Sequence, residues 1–224
     1  MKVAKLSVVE DNETSESGHL FVFEGPDGVG KSSLVSELTT RFRSDGQEVM
    51  ALSFPGQQPG TIGRHVYDLH HAPDNYGIGA MSPTSLQLLH VAAHIDQIER
   101  IILPALHEGR TVLLDRYWWS TWVYGLRSDV AADQLNLMIN VEQLAWKGTR
   151  PSTLFLLQRD AAHVNVAIHR AYRVLAEKET ASCPIVKVDN ASSVASMVQK
   201  VAIIIAECQS KSLSPCLHPL ESTS

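Results

Sequence analysis

Residues 25 to 32 read Gly-Pro-Asp-Gly-Val-Gly-Lys-Ser, an instance of G-x-x-x-x-G-K-[ST]. Its flanks constrain the fold. Leu20-Phe21-Val22-Phe23 before it is a short apolar run suited to a buried strand. Ser33-Leu34-Val35-Ser36-Glu37-Leu38 after it opens a helical pattern. A strand, a glycine-rich turn and a helix N-terminus together make an anion cradle, because backbone N–H groups and the helix dipole face one point. Gly25, Pro26, Asp27, Gly28, Val29, Gly30, Lys31, Ser32 and Ser33 are therefore expected to wrap the phosphates of a nucleotide. Lys31 is placed to reach the β- and γ-phosphates, and the Ser32 hydroxyl to hold Mg²⁺.

The bulk properties set limits. The chain has 224 residues, enough for one domain with a full core. Its net charge of −5 offers no broad electrostatic footprint for nucleic acid. Cys183, Cys208 and Cys216 are too few and too widely spaced for a disulfide framework or a zinc pattern. The N-terminus lacks a basic start followed by an apolar core, and the stretch from Val201 to Ala206 is too short to span a bilayer. A soluble cytoplasmic protein is expected.

Strand-like and helix-like segments alternate along the chain. Strands are predicted over Leu20–Phe23, Glu48–Ser53, Thr111–Asp115, Thr153–Leu157 and Pro184–Val188. Helices are predicted over Lys31–Ser44, Ser82–Glu108, Ala131–Lys147, Ala161–Lys178 and Ser192–Cys208, with a kink at Pro104. This implies an α/β fold, a five-stranded parallel sheet with helices on both faces. Residues 1–18 are polar and acidic in their second half and read as a flexible leader. Residues 19–208 form the domain, and 209–224 read as a flexible tail.

Ligands in such sheets bind at the carboxyl ends of the strands, and three segments converge there. Asp115 ends an apolar strand and is the expected second holder of Mg²⁺. Arg116 follows where a water-activating acid would suit ATP hydrolysis; a guanidinium is better suited to gripping a phosphorylated acceptor. A guanine-selecting Asn-Lys-x-Asp is absent from the sequence. The loop from Phe54 to Arg64 is rich in turn formers and can lay backbone groups and one cation against a second ligand. Trp118, Trp119, Trp122 and Tyr124 suit either base stacking or helix packing, with packing favoured for most of them. His90 and His94 lie four apart on a predicted helix, but no H-E-x-x-H accompanies them, and a structural or substrate-side role is favoured over zinc.

Taken together these pieces resemble the thymidylate kinase family, in the family's order, over nearly all of residues 19 to 207. Phe23-Glu24-Gly25 through Lys31-Ser32 is similar to its phosphate loop, with the acidic Asp27 inside it. Pro55-Gly56 through Gly63-Arg64 is similar to its Pro-Gly loop, and Met81-Ser82-Pro83 through Leu106 to its long central helix. Asp115-Arg116-Tyr117, with Ser120 and Tyr124-Gly125 beyond, is similar to its Asp-Arg-Tyr motif. The resemblance implies a P-loop NTPase fold and transfer of a phosphoryl group from ATP, with Mg²⁺, to a nucleoside monophosphate, dTMP first. It implies that Lys31, Arg116 and Asp27 carry the reaction. Asp27, Pro55, Arg64, His94, Arg116, Tyr117 and Tyr124 would line the acceptor, with Asp27 on the sugar 3′-hydroxyl. Ser32 and Asp115 would hold the metal. The partner implied is a small nucleotide, not nucleic acid or a membrane, and relatives pair as homodimers through their long helices.

The departures open alternatives. Ser53 and His94 stand where the family carries arginines, and between Asp160 and Ala171 the family's arginine-rich lid looks deleted. Lids exclude water and supply cations as charge develops on the transferred group. Arg159, Arg170 and Arg173 are candidate replacements. A nucleotide-binding relative with weak or no kinase activity, serving as sensor or assembly factor, is one competing reading; a deoxynucleoside kinase is another.

Overall fold

The computed structural model describes residues 18–159, 165–190 and 193–212. The strands are β1 (His19–Glu24), β2 (Val49–Ser53), β3 (Thr111–Asp115), β4 (Thr153–Gln158) and β5 (Ile185–Asp189). They form one sheet in the order β2-β3-β1-β4-β5, with every neighbouring pair parallel. The helices are α1 (Lys31–Ser44), α2 (Ile62–His71), α3 (Pro83–Gln97), α4 (Leu103–His107), α5 (Trp118–Arg127), α6 (Ala132–Ala145), α7 (Val166–Lys178) and α8 (Val194–Ser212).

Alternation along the strands divides the core into two layers. Phe21 and Phe23 of β1, Leu113 of β3, and Phe155 and Leu157 of β4 face α1 and α8, where Leu34, Leu38, Val201 and Ile205 meet them. Leu20, Val22, Val112, Leu114, Leu154 and Leu156 face the opposite way, onto Ile98, Ile102, Trp119, Trp146 and Leu175. Both faces are thus covered, which is why these strands read as continuous apolar runs. Burying each large apolar side chain is worth about 1.5–3 kcal/mol.

Helix boundaries differ from the sequence expectation in several places; α6, for one, runs over Ala132–Ala145 and not Ala131–Lys147. The long central helix changes its winding just before Pro104. It passes from α3 through a π-helical stretch (Ile98–Ile102) into α4, with Pro104 in the first turn of α4. Pro104 has no N–H to give the carbonyl four residues back, and the wider turn accommodates that loss. α7 begins at Val166 rather than Ala161, because the Asn165 side chain accepts from the N–H groups of Ala167 and Ile168. The first residues of the expected helix, 161–164, lie outside the described residues. α8 runs on to Ser212, four residues beyond the expected end at Cys208. The leader through residue 17 and the tail from residue 213 also lie outside the described residues.

The register places the functional segments side by side. Phe23 of β1 and Ser53 of β2 both pair with Asp115 of β3, so the phosphate loop, the Pro-Gly loop and the Asp-Arg pair leave the sheet at one level.

Candidate active site

The phosphate loop leaves β1 at Gly25, whose φ of 139° is open to glycine; a Cβ there would lie 2.3 Å from the Leu157 carbonyl oxygen of β4. The loop ends at Gly30, the N-cap of α1, and no side chain caps that helix. Its first-turn amides are therefore directed at the loop's concavity. Lys31 is buried, and its Nζ donates to the Gly25 and Pro26 carbonyls at 2.8 and 2.7 Å. Burial, and then Arg116, lower the Lys31 pKa, against Glu24, Asp115 and Asp27, which raise it. Asn190, just after β5, donates to the Val29 carbonyl at 2.8 Å and braces the loop from the other side.

Ser32 Oγ donates to Asp115 Oδ2 at 2.5 Å, while Asp115 Oδ1 is buried with no hydrogen-bond partner. An orphaned buried carboxylate oxygen is costly unless something charged claims it. One hydroxyl and one carboxylate, all oxygen, suit Mg²⁺, which takes few protein ligands and keeps its waters and substrate phosphates. Among the described residues no group of three or more His, Cys, Asp and Glu side chains is placed to hold a metal.

Arg116 follows with φ 76°, a left-handed conformation that costs a non-glycine residue about 1–2 kcal/mol. Its backbone N–H donates to the Phe23 carbonyl at 2.9 Å. Its guanidinium pairs with the Asp27 carboxylate, donates to Ser120 Oγ at 3.0 Å, and lies 5.8 Å from the centre of the Tyr124 ring. Burial alone would raise the Asp27 carboxyl; Arg116 and Tyr124 overcome it and hold that carboxyl below its ordinary value. The Asp27 N–H donates to the Tyr124 hydroxyl at 3.0 Å. Burial and the Asp27 carboxylate push the Tyr124 phenol up to about 12.

Several of these residues line one cavity of about 480 Å³, though Lys31 and the loop glycines are not among its lining. Ser32, Asp115, Asp27 and Arg116 lie on its wall together with Pro55, Tyr117 and Tyr124. Phe54, His70, His90 and His94 line it as well. Phe54 stacks on His94 at 4.0 Å between ring centres, and the Phe54–Pro55 peptide bond is cis. Gly63 packs against the same turn, where a Cβ would lie 1.9 Å from the Pro55 carbonyl oxygen. His94 is buried, and its Nδ1 sits 2.9 Å from Oε2 of Glu142, a fully buried carboxylate on α6. His90 Nε2 lies 3.3 Å from His70 Nδ1. A wider groove of about 690 Å³ follows β2 and α1, lined by Arg43, Met50 and Arg110 among others, and holds none of the motif residues.

Not every expected residue reaches the cavity. Arg64 is exposed on α2, with its Nε 3.0 Å from Asp68 Oδ2, and is not among the lining residues. The i,i+4 spacing satisfies its charge on the helix's own surface. Arg159, Arg170 and Arg173 are exposed, and the residues between Arg159 and Asn165, where the shortened lid falls, lie outside the described residues. Trp118 and Trp119 are buried in the core, so packing accounts for them; Trp122 donates to Asn136 Oδ1 at 3.1 Å.

Sequence reasoning missed two groups. Glu24 is fully buried at the end of β1 and binds both the phosphate loop and the turn after β3. A carboxylate closing an apolar strand beside Gly25 was the available signal. Glu142 gave none, because its partner lies 48 residues away on another helix.

Comparison with known proteins agrees with this arrangement. Residues 23–185 match the family model for thymidylate kinase. A thymidylate kinase of Bartonella quintana (strain Toulouse) is 38% identical over 146 residues, covering 63% of each chain. One of Dinoroseobacter shibae is 39% identical over 133 residues, covering 57% of this chain and 62% of that protein. One of Caulobacter vibrioides is 34% identical over 155 residues, covering 69% of each. The chain thus spans less than two thirds of the length of the first two of these relatives. A crystal structure of thymidylate kinase from Ehrlichia chaffeensis superposes with a TM-score of 0.67 at 18% identity, covering 85% of this chain and 99% of that one, and shows the same fold. With a phosphate loop, a strand-end Asp-Arg pair and a Pro-Gly turn meeting at one sheet edge, and a family match spanning all three, the chain belongs to the thymidylate kinase family.

Proposed function

We propose that this chain transfers the γ-phosphoryl group of ATP to a nucleoside monophosphate, dTMP first. The observation that carries this reading is the single cavity joining Ser32 and Asp115 to Asp27 and Arg116. Donor and acceptor chemistry share one space, as an in-line transfer requires. Names of the relatives support the choice of dTMP.

The roles follow from the chemistry of each group. The backbone amides of Gly28 to Lys31 and the α1 dipole hold the donor phosphates, and Lys31 adds a cation toward the β- and γ-oxygens. Ser32 and Asp115 hold Mg²⁺, which when bound neutralises charge on the phosphates. Arg116 grips the acceptor phosphate, and its pairing with Asp27 keeps it aimed at the cavity before the acceptor arrives. Asp27 takes the sugar hydroxyl. Pro55, His94, Tyr117 and Tyr124 shape the acceptor's walls. Catalysis is positioning and charge neutralisation, without a covalent enzyme intermediate.

The working form we propose is a cytoplasmic homodimer acting on small nucleotides, without nucleic acid or membrane partners. Leu137, Val141 and Leu144 support the pairing: they form one exposed apolar stripe on α6, 69, 55 and 79% accessible. No helix among the described residues is long and apolar enough to cross a membrane.

A second reading, nucleotide binding with little transfer, is favoured by His94. An imidazole held against Glu142 stands where the family carries an arginine, so the acceptor side has one fewer guanidinium. Measuring ADP formation with dTMP, and Mg·ATP binding in the same preparation, separates the two. Acceptor-dependent ADP supports transfer, and bound ATP without it supports the second reading.

A further inference from the structure

We propose that Glu24 is the positioning residue for Arg116, so that acceptor binding depends on a buried carboxylate that touches no substrate. The inference rests on the reading of Arg116 as the acceptor's cation.

Every partner of the Glu24 carboxylate is a donor. Oε1 accepts from the backbone N–H groups of Tyr117 at 2.8 Å and Ser120 at 3.0 Å. Oε2 accepts from the Gly25 N–H at 3.1 Å and from Ser120 Oγ at 2.9 Å. The bonds to Tyr117 and Ser120 enclose the residue after Arg116 and the first turn of α5. The bond to Gly25 ties that turn to the start of the phosphate loop. A left-handed Arg116 persists only where its surroundings over-determine it, and Glu24 is the group that does so on its C-terminal side.

The link to the guanidinium runs through Ser120. Its single hydroxyl proton goes to Glu24, which leaves its oxygen as an acceptor. That oxygen receives Arg116 Nη1 at 3.0 Å, and Tyr172 of α7 lies 3.0 Å away with its O–H left to donate. Glu24 therefore sets the polarity of the chain: with a carboxylate behind it, Ser120 presents lone pairs to Arg116. A glutamine at this position cannot do the same, because its amide NH₂ must face either the two N–H groups on one side or the Gly25 N–H and Ser120 O–H on the other. Either choice opposes donor to donor, and with the NH₂ on the Ser120 Oγ side the Ser120 proton is also freed to turn toward Arg116. Burial raises the Glu24 pKa, and the Arg116 and Lys31 charges act against it.

The test is a comparison of wild type, Glu24→Gln, Ser120→Ala, Ser120→Thr and the Glu24→Gln/Ser120→Ala pair. KM is measured for dTMP and for Mg·ATP, and dTMP affinity by calorimetry. Removing one charge-assisted hydrogen bond predicts a rise of about tenfold or more in the dTMP constants. The Mg·ATP constant should change by less than about threefold, which a general loss of structure would not allow. Ser120→Thr, which keeps the hydroxyl, should restore dTMP affinity. The double variant should be no worse than Glu24→Gln alone, since both act on one chain of hydrogen bonds. Equal losses for both substrates, an unmoved dTMP constant, or multiplying losses would overturn the proposal. If Glu24→Gln does not fold, the Ser120→Ala and Ser120→Thr pair carries the same comparison. If wild type neither binds nor phosphorylates dTMP, the functional reading fails instead. Positioning is then read from the Arg116 Nε–H NMR signal of the ligand-free protein, assigned with Arg116→Lys. A shift or broadening in Ser120→Ala that Ser120→Thr reverses supports the role of Glu24, and an unchanged signal contradicts it.

Discussion

Ser32 and Asp115 are 83 residues apart in sequence, yet Ser32 Oγ donates to Asp115 Oδ2 at 2.5 Å. The parallel register of β1 and β3 produces this meeting, because Phe23 pairs with Asp115 and both chains leave the sheet together. The second carboxylate oxygen stays buried and unclaimed by the protein. Asp115→Ala is expected to lower Mg²⁺-dependent turnover by about 10²-fold or more while nucleotide binding without metal changes little. Titrating Mg²⁺ against activity checks this; an unchanged metal requirement would remove Asp115 from the metal site.

Lys31→Ala is expected to abolish turnover and weaken Mg·ATP by about 2–3 kcal/mol, the worth of a charge-assisted hydrogen bond in a buried cradle. The fold should survive, because among the described residues Lys31 bonds to the carbonyls of its own loop. Nucleotide affinity by calorimetry, with circular dichroism as control, decides it. Full affinity in a folded variant would contradict the assignment.

Arg116→Ala is expected to raise the acceptor KM by about 10- to 100-fold, corresponding to about 1.5–3 kcal/mol. The ATP constant should move much less. A loss confined to the ATP side would place Arg116 with the donor.

The His94–Glu142 pair governs stability on the acceptor side. Removing His94 leaves the fully buried Glu142 carboxyl without that hydrogen-bond partner, which costs about 1–3 kcal/mol. His94→Leu should therefore be destabilised in urea, and His94→Leu/Glu142→Leu should recover most of the loss. Equal stability of the single and double variants would show that the pair is not coupled.

The histidines predict a pH dependence. Burial holds the His90 pKa down to about 3, with His94, His70, Arg116 and His71 adding in the same direction. Burial, then His71, lowers His70 as well. Between about pH 6.5 and 3 the unfolded chain binds a proton at His90 that the folded chain refuses, and the lowered His70 acts in the same direction. Their contribution is thus intact above about pH 6.5 and is lost as pH falls below it. Urea stability measured from pH 7 to pH 4 should drop less steeply in His90→Gln than in wild type. Parallel curves would contradict this.

The sheet was legible because both of its faces are covered. Thr111–Asp115 was read with its observed bounds, and the other strands differ from the reading by one residue at one or both ends. The phosphate loop, the Asp-Arg pair and the Pro-Gly turn were legible as motifs, since local backbone chemistry dictates their residues. Three features were not. The π stretch before Pro104 depends on how a helix redistributes one missing donor. His94 was read as lining the acceptor, but its partner Glu142 comes from another helix and gave no signal; the outward set of Arg64 depends on a neighbour, Asp68, that satisfies it first. Position in sequence says little about which way a cation turns when two partners compete.

The short connection after β4 carries its own expectation. β4 ends at Gln158 and α7 begins at Val166, leaving few residues to cover a donor nucleotide. Water is then expected to share the site, and ADP should form slowly without acceptor. Acceptor-free ADP release, compared with release in the presence of dTMP over a range of protein concentrations, measures this leak. Fast, tightly coupled turnover at low concentration would show the short segment to be sufficient.

The central claim is phosphoryl transfer to a nucleoside monophosphate, and its most direct measurement is ADP production from Mg·ATP against a panel of nucleosides and nucleoside monophosphates, with the phosphorylated product identified. The account predicts that dTMP stimulates ADP formation above the acceptor-free rate and appears as dTDP in equal amount. Mg·ATP bound without acceptor-stimulated ADP, or thymidine consumed in preference to dTMP, would contradict it.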